Sequence, residues 1–422
     1  MKNVLFLTFL IIGLIFRLYS CLYPGNIGDM SQYMEWGNNT LVYGLSESYK
    51  GIYYPFQYQI FELFSFISGE TSIPAFIVFK LGNLPFDIGI MYLLMLILKR
   101  NKKSEYFALL YWLNPWFLNN FVLGFVDMQY TFFVLLSVFL FKKDGSVKDF
   151  LISGLPLGLA VVLKPQVVII FLALSFTFLF YLLKDKKRYK YLYFFLPSVI
   201  CFLAYELYFT VSLYPSVYIY SRGMEIPSIF YLPAHYINVK NISPKGLTCG
   251  MMNIWYPIAE LLRDKNEPIY SISSEIELLP HLSISTLFLA TTILIILKYC
   301  HTKIKSTTTI TPLALLNIVA FVGLFVPFFM TNAHYNHPYI GTVFLIPLIP
   351  FFSKKNQIFA YILYLVLFFN IFKSGGLGGL LPAINNVSSI IIFCASIISI
   401  ITFLIVLVCL YKSIPTKDCI RK

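Results

Sequence analysis

Apolar runs of roughly 20 residues return along nearly the whole chain, separated by short polar segments, and each is long enough to cross a hydrocarbon core of about 30 Å. In lipid every backbone polar group must be satisfied internally, which leaves helices and closed barrels. Runs this long and continuous select helices. The expected fold is an all-α polytopic membrane bundle of about 12 transmembrane helices. The spans read from the sequence are 3–23, 73–98, 105–123, 127–142, 149–163, 166–183, 191–213, 281–299, 309–330, 337–352, 356–372 and 387–411. Residues 55–68 are expected to form a further embedded or interfacial helix. Residues 3–23 read as an uncleaved first span, because the run is long, contains Arg17 and is followed by no small-residue cleavage site. A single integral membrane domain, 1–422, divides into a half with the chemistry-bearing motifs (1–185) and C-terminal helices (186–422).

Charge orients this bundle. The net charge is +13, yet the cations fall in short clusters between apolar runs rather than on one face, which argues against nucleic acid. Lys99–Lys103, Lys142-Lys143, the 184–190 stretch, the Lys298/Lys303/Lys305 group, Lys354-Lys355 and the tail from Lys412 all fall on one side if the spans alternate from a cytoplasmic N-terminus. With Lys2 and Lys148, those segments hold 22 of the 32 Lys and Arg residues, so the positive-inside bias puts both termini in the cytoplasm. The first outer loop, 24–72, then carries five acids against one base, Lys50. A second long outer loop covers 214–280. Long polar excursions on one side suit an enzyme or receptor working at that surface, and no internal repeat points to a transporter of duplicated halves.

Four polar groups stand out against their apolar surroundings. In "GDMSQYMEWG", Asp29, Tyr33 and Trp36 recur at i, i+4 and i+7, one face of a helix; they suit either an interfacial aromatic belt or a carboxylate beside a sugar ring. In "LGFVDMQY", Asp127 sits at an outer junction, where it could cap the next helix or meet a ligand. In "VLKPQVV", Lys164 lies between apolar runs before a proline; such a cation either snorkels or serves function. In "AHYNHPY", His334 and His337 bracket Tyr335 and Asn336; two histidines without a local carboxylate or cysteine are a weak metal signal, and phosphate binding is the competing use. The orientation set by Lys and Arg brings all four groups to the outer side. Lys80 and Asp87, seven apart in "KLGNLPFD", could pair within a span as a relay.

The stretch "GDMSQYMEW…YGLSESYKGIYYPFQYQIFELF" resembles the opening of polytopic GT-C glycosyltransferases, the nearest pattern being the prokaryotic mannosyltransferase-like proteins related to GPI mannosyltransferase 2. That family shows an Asp, a Tyr and a Trp in the first outer loop and then Tyr-Pro-Pro; here these are Asp29, Tyr33, Trp36 and Tyr54-Pro55, with Phe56 in place of the second proline. Asn114-Pro115 is followed by Gly124 and Asp127, without the family's Trp and Gln, and "LKPQ" at 163–166 matches well. The late "MHERY" pattern is reduced to His334 in "AHYNH". The likeness covers residues 1 to about 185 and, less fully, 330–350.

The resemblance implies a GT-C-like fold and an enzyme of the non-cytoplasmic face of a prokaryotic plasma membrane. It would transfer a hexose, mannose by the family pattern, from a polyprenyl-phosphate donor to a lipid or glycan acceptor with inversion. Asp29 would be the general base. Lys164, His334 and His337, with Arg222, would meet the donor phosphate; Gln166 and Asp127 would orient the sugar or a partner of the base; Tyr33, Trp36 and Tyr54 would pack on the ring or prenyl chain. No cofactor or metal is implied. Two alternatives stand beside it: a transporter or flippase of a lipid-linked or polar substrate, and a non-catalytic partner in a glycosylation complex.

Overall fold

The structure is a computed structural model that describes residues 2–24, 27–212, 216–219, 224–242, 246–262, 267, 269–274, 277–279, 282–306, 310–331, 333–375 and 388–412. The chain enters through α1 (Lys2–Ser20). It then builds a helical segment of α2 (Ile27–Tyr43), the single turn α3 (Leu45–Ser48) and α4 (Pro55–Thr71). The long α5 (Ala75–Arg100) leads to the short α6 (Leu109–Trp112) and α7 (Pro115–Val122), followed by α8 (Asp127–Leu140), α9 (Val147–Val161), α10 (Gln166–Lys184) and α11 (Leu196–Ser212). Two small antiparallel hairpins, β1 (Ser216–Ile219) with β2 (Met224–Pro227) and β3 (Glu277–Leu279) with β4 (Leu282–Ser283), flank α12 (Tyr231–Ile242) and α13 (Tyr256–Leu262). The bundle is completed by α14 (Ile284–Ser306), α15 (Pro312–Phe329), α16 (Tyr339–Leu345), α17 (Lys354–Gly375) and α18 (Ser389–Lys412).

The all-α polytopic membrane fold is as expected. Among the described residues seven helical segments are long and apolar enough to cross a membrane, and three shorter apolar ones lie in α1, in α8 and over Tyr339–Phe351. The expected span 105–123 is broken into a 3₁₀ turn, α6 and α7. Pro115 has no N–H to continue a helix, so it opens α7 instead, and the Asn114 side chain caps the new start by accepting the Trp116 N–H at 2.9 Å. Capping also starts α9, where Ser146 and Asp149 exchange hydrogen bonds reciprocally. The outer faces of the helices carry exposed Ile, Leu and Val, as at Ile11, Ile15, Leu294, Leu365 and Ile390. In water such a surface is a liability, and in a bilayer it is the lipid face.

The basic clusters meet at one end of the bundle. Arg100 reaches the Phe139 carbonyl at 3.3 Å, Lys103 lies 4.3 Å from the centre of the Phe351 ring, and Lys184 reaches the Ile304 carbonyl at 3.4 Å. Lys303 caps the C-terminal end of α18 through the Leu410 and Tyr411 carbonyls at 2.9 and 2.8 Å. The remaining polar motifs gather at the opposite end of these helices.

Within the first outer segment the helix expected over 55–68 forms as α4, and α2 lies against it. The core of this contact is aromatic: Tyr33 stacks on Phe61 at 4.9 Å and Trp36 on Tyr58 at 5.4 Å. One expectation changes here: Lys80 and Asp87 do not pair. Seven residues make almost two helical turns, but each side chain turns to a different neighbour. Lys80 donates to the Ser20, Tyr23 and Val122 carbonyls at 3.1, 2.6 and 2.6 Å, which satisfies all three ammonium protons and fastens the ends of α1 and α7. Asp87 instead pairs with Arg17 of α1.

The α2–α4 contact is close enough that a side-chain carbon at Gly37 would run into the Phe61 carbonyl and the Ser65 hydroxyl. Gly37→Val is therefore expected to cost roughly 1–3 kcal/mol by overpacking, measured as a lowered melting temperature of the purified protein in detergent. A variant melting with wild type would show that α2 and α4 can separate freely.

Candidate functional site

The site is assembled from three chain reversals at the end of the bundle opposite the basic clusters. The first joins α7 to α8. Gly124 takes φ +78°, its N–H donates to Phe121 O at 3.0 Å and the Phe125 N–H to Asn120 O at 3.2 Å. This left-handed glycine closure ends α7 and turns the chain so that α8 starts on Asp127. Asp127 is the first residue of α8, with Val126 in the capping position; its carboxylate is used for tertiary contacts rather than as a cap. The second reversal, 162–165, joins α9 to α10. It is gripped by the start of α4, where the Tyr54 N–H donates to Leu163 O at 3.0 Å and the Phe56 N–H to Val162 O at 3.1 Å. The third, 333–338, precedes α16 and is braced from the side by the Cys249 and Met251 N–H groups, which donate to Ala333 O at 3.1 and 3.3 Å.

These reversals bring together residues 37 and 209 positions apart. Lys164 donates to Asp127 Oδ1 at 2.8 Å, the Tyr130 hydroxyl donates to the same oxygen at 2.6 Å, and Asn336 Nδ2 donates to Oδ2 at 2.8 Å. Lys164 is only 3 % exposed and Asp127 1 %, so Lys164 does not snorkel to water. The Tyr53 and Tyr130 rings each lie 5.2 Å from its ammonium, an attractive placement for a cation. Burial works against the charge on Lys164, but the facing Asp127, reinforced by Tyr53 and Asp29, outweighs it and holds the ammonium above its usual pKa.

Asp29 lies in the first turn of α2 beside this pair. Its carboxylate is half-buried. Burial pushes its pKa up from the ordinary 3.8, Lys164 pulls it back, and Asp127 adds to the rise. Two carboxylates thus lie near one ammonium in different surroundings. Asp127 is saturated with hydrogen bonds, whereas Asp29 takes part through charge and burial.

Tyr33 and Trp36 share a face of α2 with Asp29, as the spacing predicted, and are buried at 3 % and 5 % exposure. The Tyr33 hydroxyl lies 3.0 Å from that of Tyr53. Tyr54 turns its ring edge-on to Phe202 and lies near Tyr236. Gln166 opens α10, and its buried Oε1 accepts no hydrogen bond from the described residues. The His334 and His337 rings are 5.1 Å apart, and His337 Nδ1 accepts the His334 N–H at 3.3 Å. Among the described residues no three His, Cys, Asp or Glu side chains gather as a metal site. Arg222 lies outside the described residues.

A cavity of about 400 Å³ opens beside the cluster between α10, α14, α15 and the 333–338 turn. Its wall is polar toward the site, with Gln166, Ser285, Thr286, Thr331 and His337, and apolar toward the bundle middle, with Ile169, Ile170, Leu289, Val322 and Val326. A molecule with a polar head and an aliphatic tail matches that division.

Sequence reading missed three members of the cluster: Tyr130, Asn336 and Tyr53. Tyr130 was signalled by its i+3 spacing from Asp127 on one helix. Asn336 stood between the two histidines without a role, and nothing local marked Tyr53.

Residues 52–204 match Glycosyltransferase family 87, a GT-C-type family. The match supports a membrane glycosyltransferase. The matched stretch runs from just before α4 to within α11, so it includes Tyr53, Tyr54, Asp127, Lys164 and Gln166, while Asp29 and the 333–338 turn lie outside it. No curated protein matches the chain. The Lys80–Asp87 relay, on which a transport reading would draw, is not formed.

Removing Lys164 leaves the Asp127 charge buried with only neutral donors. Lys164→Met is expected to cost about 3–5 kcal/mol, seen as a fall in melting temperature in detergent, and adding Asp127→Asn to restore most of the loss. Equal destabilisation in the single and double variants would mean that Lys164 matters through its packing alone.

Proposed function

We propose that this glycosyltransferase moves a hexose, mannose by the family resemblance, from a polyprenyl-phosphate donor to a hydroxyl of a lipid or glycan acceptor. The observation that carries the reading is the buried Lys164–Asp127 ion pair, with the half-buried Asp29 among its electrostatic neighbours, beside a cavity whose wall starts at Pro165 and Gln166 and is polar at one end and apolar at the other. The apolar part suits a prenyl chain, and the polar part a sugar phosphate.

In this reading Asp29 takes the proton of the acceptor hydroxyl as its oxygen attacks the anomeric carbon. The bond from that carbon to the phosphate oxygen breaks, the phosphate leaves with the electron pair, and configuration inverts. On the same reading Lys164 meets the charge that builds on the departing phosphate, and Gln166 and His337 offer donors along the cavity wall, with His334 adjacent; preorganised groups of this kind act where charge develops. Asp127 keeps Lys164 charged and in place. Tyr33 and Trp36 act from within the core by shaping the wall behind Asp29. The clustering of basic residues at the far end supports a non-cytoplasmic site, in a prokaryotic plasma membrane, with both termini cytoplasmic.

The test uses purified full-length protein with labelled polyprenyl-phosphate sugars and a membrane lipid extract. Asp29→Asn is expected to lower kcat by about 10²–10⁴-fold, the usual contribution of a positioned base, without loss of folding. Wild-type kcat/KM should fall on the acid side with a pKa above 3.8, because burial raises Asp29 and only its ionised form accepts the proton. A Asp29→Asn variant as fast as wild type would remove Asp29 from the mechanism. Wild type inert with every donor would favour a non-catalytic role in a glycosylation complex.

A further inference from the structure

Deep in the bundle, Arg17 of α1 and Asp87 of α5 form an ion pair, both wholly buried. Ionisable groups at such depth are costly and retained for a reason. Arg17 also donates to the Gly13 and Trp112 carbonyls at 3.2 and 2.9 Å and lies 3.7 Å over the Trp112 ring. A pair serving only to neutralise itself would end there. Instead the second Asp87 oxygen accepts the Tyr111 hydroxyl, and the Tyr111 oxygen lies 2.9 Å from the Tyr339 hydroxyl. Tyr111 spends its one proton on the carboxylate, so Tyr339 must be the donor in that second bond.

Tyr339 is the first residue of α16, and its N–H donates to Asn336 O at 3.0 Å. Asn336 in turn holds Asp127, which holds Lys164. Hydrogen bonds joined through the covalent frames of Tyr339 (hydroxyl to backbone N–H) and Asn336 (backbone carbonyl to side-chain amide) therefore lead from Arg17 through Asp87 and Tyr111 to Asp127 and Lys164. The reversal at 333–338 is a turn closed by the His337 N–H to His334 O at 3.1 Å; it is bridged to Cys249 and Gly250 on its N-terminal side, carries Tyr335 against Phe125, and is joined on its C-terminal side to Tyr339.

We propose that Tyr339 is a positioning residue, which transmits the location of the buried Arg17–Asp87 pair to Asn336 and so sets the geometry of Asp127 and Lys164. It touches no substrate. Its kinetic consequence rests on the glycosyltransferase reading above, while its effect on Lys164 does not.

The experiment compares full-length wild type, Tyr339→Phe and Tyr299→Phe, the last removing a buried hydroxyl that bonds Asn317 near the basic end. Tyr339→Phe should lower kcat about tenfold with the donor KM within about twofold, the pattern of a lost transition-state arrangement. Modification of Lys164 by acetic anhydride, read by peptide mass, should speed up about fivefold as the cluster opens locally. Tyr299→Phe should match wild type in both. Because Tyr339 acts through Asn336, the double variant Tyr339→Phe/Asn336→Ala should be no slower than Asn336→Ala alone. Unchanged Lys164 labelling in Tyr339→Phe, or additive losses in the double variant, overturns the proposal. If Tyr339→Phe does not fold, Tyr111→Phe cuts the chain one link earlier and is held to the same labelling criterion. Wild type without transferase activity would defeat the functional reading alone, since the labelling comparison still decides this one.

Discussion

The ion pair between Asp127 and Lys164 is the contact on which the rest of the site depends. Both groups have left water, and the desolvation of each costs several kcal/mol unless geometry and further hydrogen bonds offset it. Tyr130 and Asn336 supply those bonds to Asp127, and the rings of Tyr53 and Tyr130 flank the ammonium. This requirement explains the local structure around it. The left-handed Gly124 aims α8, the backbone of Tyr54 and Phe56 clamps the 162–165 turn, and the 333–338 turn must arrive at one position. A misplacement of any one leaves a buried charge partly uncompensated.

Around that pair the protein keeps two carboxylates in unlike environments. Asp127 is surrounded by donors, while Asp29 lies half-buried near Tyr33 and Tyr53 and has its proton affinity raised by burial. The aromatic unit packs Tyr33 and Trp36 inward against Tyr53, Tyr58 and Phe61 on the helix that carries Asp29.

The bundle uses the same economy at both ends. Lys80 and Lys303 are buried cations whose partners are backbone carbonyls at helix C-terminal ends, where the helix dipole favours positive charge. They fasten helix ends that lipid cannot solvate, and their presence in apolar runs is structural. Intramembrane charge in this chain therefore has two uses, helix fastening and support of the site, and residue type alone does not separate them.

The membrane fold was legible in the sequence because lipid leaves a long apolar run few alternatives to a helix, and the separation of basic clusters from polar motifs followed from where they fall along those runs. The helical face carrying Asp29, Tyr33 and Trp36 was equally legible, since i, i+4, i+7 is a local regularity. So was the break at Pro165, though the one at Asn114-Pro115 was read as part of a continuous span. Which charges pair was decided only by tertiary structure. Lys80 and Asp87 lie on one helix yet have different partners, Arg17 finds Asp87 from 70 positions away, and Asn336 finds Asp127 from 209. Helical periodicity is set by backbone geometry within a few residues, and is written in the chain. A buried charge, in contrast, takes whichever partner packing brings within hydrogen-bond distance, and only the folded bundle specifies that.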